Sequence, residues 1–136
     1  MPYLFDTDML SAVLRRTPDL AVLRRVATVP PDEQYMSAVS LGELLYGARR
    51  IHRADLEEAI VLLARRVAII PFDAVVADTF ATLRVGLERA GTPVAEPDLR
   101  IAATAVSSAL TLVTGNVRHF AHIPGLAMEN WLTARS

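Results

Sequence analysis

The sequence predicts an α/β fold built on a parallel sheet, and three observations carry that prediction. Short apolar runs of strand length, near Tyr3, Tyr35, Ile69 and Thr111, alternate with longer stretches of helical periodicity. In the segment from Pro97 to Phe120 a helical pattern passes within a few residues into the strand Leu110 to Val113, a closeness that means a parallel unit. The apolar runs end in polar or turn-forming residues, Asp6-Thr7-Asp8 after the first and Thr114-Gly115-Asn116 after the fourth. Parallel sheets bind ligands beyond the carboxyl ends of their strands, so these residues are placed where chemistry is expected.

In chain order, Tyr3 to Phe5 is a strand, Asp6 to Asp8 a polar turn, and Met9, Leu10, Val13 and Leu14 follow at helical spacing. An acid at such a junction commonly caps the helix, so Asp6 or Asp8 taken alone is a weak functional signal. Pro18-Asp19 starts a second helix through Leu20, Leu23, Arg24 and Ala27, which Pro30-Pro31 ends. Gln34 to Val39 is the second strand, and Ser40-Leu41-Gly42-Glu43 fits a capping box. Leu41, Leu44, Leu45 and Ala48 then form a buried stripe with Glu43 off it.

Leu56, Ile60 and Leu63 mark a further amphipathic helix, Val67 to Ile70 a strand closed by Pro71, and Asp73 an N-cap. Val76, Phe80, Leu83 and Leu87 run down a long helix that Gly91 stops. Thr92 to Pro97 is a loop carrying Glu96. Asp98 precedes Ile101 and Ala102 by three and four residues, which sets its carboxylate on the core-facing side of a helix, a costly position for a charge. The tail from Ile123 to Trp131 is a last edge strand, with Trp131 as its packing anchor. With 136 residues and no repeat or low-complexity tract, residues 1–136 are expected to form a single domain.

Composition narrows the chemistry. The chain is 52% apolar, a surplus that suggests a dimer or another partner. It has no cysteine, which removes disulfides, thiol chemistry and cysteine zinc sites. The start lacks a basic region followed by a long apolar one, and later apolar runs are cut by Arg65-Arg66 or by proline, so no membrane role and a cytoplasmic location are expected. All 14 basic residues are Arg, against 15 acids, giving a net charge of −1. The bulk charge does not argue for nucleic-acid binding, nor exclude it, and the Arg doublets read as solvated helix faces.

The strand placements bring Asp6, Glu43, Asp98 and Asn116 toward one rim. Clustered carboxylates either raise one another's pKa or hold a divalent cation, and an all-oxygen set favours Mg²⁺ or Mn²⁺ over zinc. A hard cation of that kind suits hydrolysis of a phosphodiester. The competing motifs are absent: there is no phosphate-cradling glycine loop and no serine elbow. His119 and His122 have a spacing open to a metal but lack a third nitrogen or sulfur ligand nearby.

The motifs FDTD (Phe5 to Asp8), SLGELLYGARR (Ser40 to Arg50), PDLRIAATA (Pro97 to Ala105), LVTGNVRHF (Leu112 to Phe120) and PGLAMENW in the tail resemble the PIN-domain ribonucleases, specifically the VapC-type toxins of bacterial toxin–antitoxin pairs. The likeness runs through nearly the whole chain in order. It implies a three-layer α/β/α PIN-like fold with a central parallel sheet of four or five strands, and a metal-dependent endoribonuclease site. By the same resemblance Asp6 and Asp98 are the main Mg²⁺ or Mn²⁺ ligands, and Glu43 is a third acid that orients metal-bound water or binds a second ion. Asn116 stands where relatives often carry a fourth carboxylate, which leaves a second metal in doubt, and Asp8 replaces a frequent Asn or Ser. The resemblance further implies an RNA substrate, a homodimer and a cognate VapB-like antitoxin whose C-terminal segment lies in the active-site groove.

Two rival readings stand beside this one. Phe5-Asp6-Thr7-Asp8 with Thr114 imitates a haloacid-dehalogenase-like phosphatase, although that chemistry normally uses a Lys, and the chain has none. The other is a catalytically weak PIN-like interaction domain, in which the amide at Asn116 weakens metal binding; three acids kept at the rim argue against it, since each costs stability when unpaired.

Overall fold

The computed structural model describes residues 2–132. Five parallel strands form one sheet in the order β3-β2-β1-β4-β5. These are β1 (Tyr3–Phe5), β2 (Gln34–Ser37), β3 (Ala68–Ile70), β4 (Thr111–Val113) and β5 (Met128–Glu129). The helices between them are α1 (Thr7–Val13), α2 (Leu20–Ala27), α3 (Ala38–Arg50), α4 (Ala54–Arg66), α5 (Ala74–Arg89), α6 (Glu96–Ser107) and the short α7 (Val117–Phe120). No helix of the described residues is long and apolar enough to cross a membrane.

Alternation along the central strands divides the interior into two cores. Leu4, Tyr35 and Leu112 lie side by side in the register and face Val76, Leu83 and Leu87 of α5 and Leu99, Ile101 and Ala102 of α6. The next row, Phe5, Met36 and Val113, faces the other way onto Met9 and Leu10 of α1, Val22 of α2, Leu44 and Ala48 of α3 and Ile60 and Leu63 of α4. This is the expected three-layer α/β/α arrangement, with five strands.

Local chemistry explains most boundaries. Asp19 and Asp73 cap α2 and α5 by accepting from the backbone N–H groups of Ala21 and Val76. At the end of α5, Gly91 takes φ +74° and the Thr92 N–H reaches back to the Leu87 carbonyl at 2.9 Å, the left-handed stop that glycine permits. Arginines fall in the last turns of α2, α3 and α4, where their charge faces the negative end of the helix dipole.

Three expected boundaries are corrected, the simplest being the last edge strand, which narrows from Ile123–Trp131 to Met128–Glu129. The second strand stops at Ser37, because Ser37 rather than Ser40 caps α3, accepting from the Ser40 N–H at 3.0 Å. Glu43 is therefore in the second turn and is not a capping glutamate. The segment from Thr92 to Pro97 is not all loop: Glu96 and Pro97 already belong to α6, where proline needs no backbone donor. Glu96 there pairs with Arg100, whose guanidinium lies over Phe72 and Phe80.

Trp131 anchors the tail as expected. Its ring meets Tyr3 and Phe5 edge-on at 5.1 and 5.5 Å, the Arg25 guanidinium stacks 4.2 Å away, and its Nε1–H donates to Glu129. Trp131→Ala is expected to lower stability by roughly 3–5 kcal/mol. Denaturant titration followed by far-UV circular dichroism checks this, and a loss under about 1 kcal/mol would show that the tail is not a structural anchor.

Candidate active site

The strand order places the site. From β1 the chain steps outward to β2 and β3, then returns to the other side of β1 for β4 and β5, so the direction reverses between β1 and β4. Helices leave the sheet on different sides at such a point and open a crevice beyond the strand ends. Asp6 follows β1 and Thr114 follows β4, and because Phe5 pairs with Val113 the two residues emerge next to each other.

Asp6 is buried, with 4% exposure. Its Oδ1 accepts from the Met9 N–H at 2.8 Å, capping α1, and its carboxylate accepts from the Thr114 side chain. The helix-capping role is thus real, and it also fixes the carboxylate's orientation. Burial pushes the Asp6 pKa up from 3.8 to about 6, the hydrogen bonds from Thr114 and Met9 pull it partly back, and the charges of Asp8 and Asp98 push it up again. Asp8 and Asp98 are therefore each within electrostatic reach of Asp6.

Asp98 sits in the first turn of α6, whose N-terminus has no side-chain cap, and it is about one-third exposed rather than turned into the core. An acid in a first turn has an ordinary stabilising role with the free N–H groups and the helix dipole, a role that the apolar stripe hides in the sequence. Its Oδ2 lies 3.4 Å from His119 Nδ1, and the same nitrogen lies 3.0 Å from the Asn116 side-chain amide. The imidazole thus stands between Asn116 and Asp98. The Asn116 backbone N–H donates to Thr114 Oγ1 at 2.9 Å, which ties the turn after β4 to the residue that holds Asp6.

Glu43 arrives by another route. Its Oε1 is 2.7 Å from Thr7 Oγ1, which is 3.0 Å from Ser40 Oγ, itself 3.3 Å from Ser37 Oγ. Thr7 has one proton, and an ionised Glu43 offers the stronger acceptor. The Ser40 hydroxyl then donates to Thr7 and that of Ser37 to Ser40, so a file of hydroxyls from the end of β2 terminates at the carboxylate. Ser37 and Ser40 are buried, so this file is shielded from competing water. Thr7, Thr114 and His119 are the residues sequence reasoning undervalued; only the register of β1 against β4 and the packing of α1 on α3 single them out.

Among the described residues no three His, Asp or Glu side chains stand close enough together to hold one metal ion by themselves. The charges of Asp8 and Asp98 both act on Asp6, and Glu43 hydrogen-bonds Thr7, the residue that follows Asp6 in the chain. An all-oxygen rim with one buried, one half-exposed and one half-buried carboxylate fits a cation that keeps several waters and takes only one or two protein carboxylates, as Mg²⁺ does.

Residues 3–126 match the family model of the PIN domain. The chain belongs to the PIN-domain family. Ribonuclease VapC2 of Rickettsia felis is 31% identical over 137 residues, covering 96% of this chain and 98% of that protein. The tRNA(fMet)-specific endonuclease VapC of Salmonella typhimurium is 30% identical over 132 residues, with 96% and 98% covered. Among solved structures, VapBC2 from Rickettsia felis bound to a DNA fragment from their promoter superposes with a TM-score of 0.87 at 28% identity, covering 96% of this chain and 99% of that one. A PIN domain is not a haloacid-dehalogenase fold, so the phosphatase alternative falls; Asp8, the second acid of its motif, is exposed on α1.

In the unfolded chain the Asp6 carboxyl loses its proton near 3.8, and in the metal-free folded protein near 6. Between those values the folded state holds the extra proton, so the stability contributed by this group falls as pH rises and the full penalty is present above about pH 6. Asp6→Asn, which retains a capping oxygen, is expected to be more stable than wild type in EDTA at pH 7.5, by at most roughly 3 kcal/mol, with the gap closing toward pH 4. Denaturant titrations at a series of pH values check the sign; a gap that widens on acidification would contradict the burial argument.

Proposed function

We propose that this chain is a divalent-metal-dependent endoribonuclease, acting as a single PIN domain and as the toxin of a VapBC-type pair in the cytoplasm. The observation that carries the reading is the buried Asp6 carboxylate held beside Asp98 at the reversal of strand order, a pairing of acids that a cation relieves. Full-length similarity to proteins named as VapC ribonucleases supports the substrate class.

Asp6 and Asp98 are the residues that would hold Mg²⁺ or Mn²⁺, with Asn116 and Thr114 beside them. Held there, a hard cation would supply an acidified water as nucleophile and charge neutralisation at the attacked phosphate. Glu43, held by the proton of Thr7, orients the attacking water and accepts its proton. Thr114 keeps Asp6 aimed at the rim by hydrogen bonding, and His119 Nδ1 serves one neighbour at a time, accepting from the Asn116 amide Nδ2–H or donating to Asp98 according to its tautomer. The Asn116 amide can offer an oxygen but no charge, which favours one ion over two.

A VapB-like antitoxin is the proposed inhibitor, its C-terminal segment covering the rim, and a homodimer the proposed assembly. Solved relatives include VapBC2 of Rickettsia felis and a toxin-antitoxin complex from Klebsiella pneumoniae, which supports a partner of this class. Exposed apolar side chains at Leu20, Tyr46, Ile51, Leu62 and Val75 offer surface for such contacts.

Purified, antitoxin-free protein is expected to cut a structured RNA pool in Mg²⁺ or Mn²⁺ and not in EDTA, with Asp98→Asn lowering the rate at least about a hundredfold. Metal-independent cleavage, or full activity in Asp98→Asn, would overturn the acidic-site mechanism. Intact RNA from folded wild type that fails to bind Mg²⁺ would favour the interaction-domain alternative. Thr7→Val removes the hydroxyl that donates to Glu43 and accepts from Ser40, and is expected to reduce kcat by about tenfold while leaving KM and Mg²⁺ affinity near wild type. Unchanged kcat in that variant would show that Glu43 needs no such support.

A further inference from the structure

A groove of about 480 Å³ runs from Asp98 between the loop Gly91 to Ala95 on one wall and Arg118, His119 and His122 on the other. Asp98 is the one acid in its lining, so the groove is acidic at the rim and basic away from it. Arg118 is exposed and makes no ion pair among the described residues, which it shares with Arg15, Arg24, Arg50, Arg65, Arg66 and Arg89; what sets it apart is that it is the arginine lining the groove beside Asp98. Its position is nevertheless defined: it lies in α7 between Asn116, which caps that helix, and Phe120, which is buried in the core. An exposed guanidinium on a backbone fixed by its neighbours, and without an ion-pair partner, is available to an anion. A second groove, between α1, α3 and α4, is walled by Leu14, Leu44, Leu56 and Ile60 and has a more apolar lining.

We propose that the Arg118 groove is the path of the RNA strand next to the scissile bond, with Arg118 binding a phosphate adjacent to the one attacked and His119 and His122 lining the same wall. This rests on the ribonuclease reading. The charge pattern is what a polyanion crossing an acidic centre requires: a cation between the carboxylates and the scissile phosphate, and a fixed positive charge for a neighbouring phosphate. The contact is to the backbone, so it binds without reading sequence.

The test is equilibrium binding of a labelled single-stranded RNA oligonucleotide to the full chain in EDTA, over a range of salt, with Arg118→Ala, Arg118→Lys and the charge-matched Arg66→Ala, whose arginine lies at the end of α4 outside the groove. Arg118→Ala is expected to weaken binding about tenfold and to flatten the dependence of log K on log salt by about 0.7, Arg118→Lys to recover most of both, and Arg66→Ala to change neither. Absence of binding by the parent protein, or equal behaviour of Arg118→Ala and Arg66→Ala, overturns the proposal. So does an Arg118→Ala protein that binds RNA normally but holds a coexpressed antitoxin less tightly, which would assign the groove to an acidic peptide. Cleavage by the parent protein in Mg²⁺ is scored separately: Arg118-dependent binding without any cleavage would remove the ribonuclease reading and leave the groove as an RNA site.

Discussion

Burial of the Asp6 carboxylate is the constraint on which the rest of the site depends. A charged group with 4% exposure costs several kcal/mol unless it is hydrogen-bonded or paired. Here a backbone N–H from α1 and the Thr114 side chain from the end of β4 offset part of that cost, and neighbouring acids add to it. The balance holds only while β1 and β4 keep their register, because a slip of one residue would turn Thr114 to the opposite face of the sheet. Catalytic potential and local instability thus have one source, which is the usual relation between a site's chemistry and its stability.

The two cores on either side of the sheet make that register rigid. Leu4 and Leu112 are locked against α5 and α6, while Phe5 and Val113 are locked against α1 to α4, so β1 and β4 cannot shift without emptying both. Helix α1 begins at the residue after Asp6, and its first residue, Thr7, supports Glu43 on α3. Packing of one layer therefore transmits directly to the orientation of two acids. The opposite layer contributes Asp98 at the head of α6, and α7 brings His119 against it. The rim is assembled from both layers at the point where they part.

Much of this was legible in the amino-acid order. Alternating short apolar runs and amphipathic stretches determined an α/β chain, since periodicities of two and 3.6 residues are local properties. Asp19, Asp73 and Gly91 marked helix ends through side-chain and backbone chemistry acting over a few residues. The order of the motifs around Asp6, Glu43, Asp98 and Asn116 pointed to the PIN family, to which the chain belongs.

Other features belong to the tertiary structure. Ser37 rather than Ser40 caps α3 because the strand ends where β2 leaves the sheet, a limit set by its neighbours β1 and β3 and not by the Ser-x-x-Glu pattern. Asp98 reads as core-facing from its spacing, yet α6 begins at Glu96, so the residue stands at the helix mouth with its side chain about one-third exposed. Thr114 beside Asp6, Thr7 beneath Glu43, and His119 between Asn116 and Asp98 are unions of residues up to 108 positions apart. The sequence by itself determined which elements form and which polar groups stand at their ends. Register and layer packing, which depend on contacts between distant segments, decided which of those groups meet.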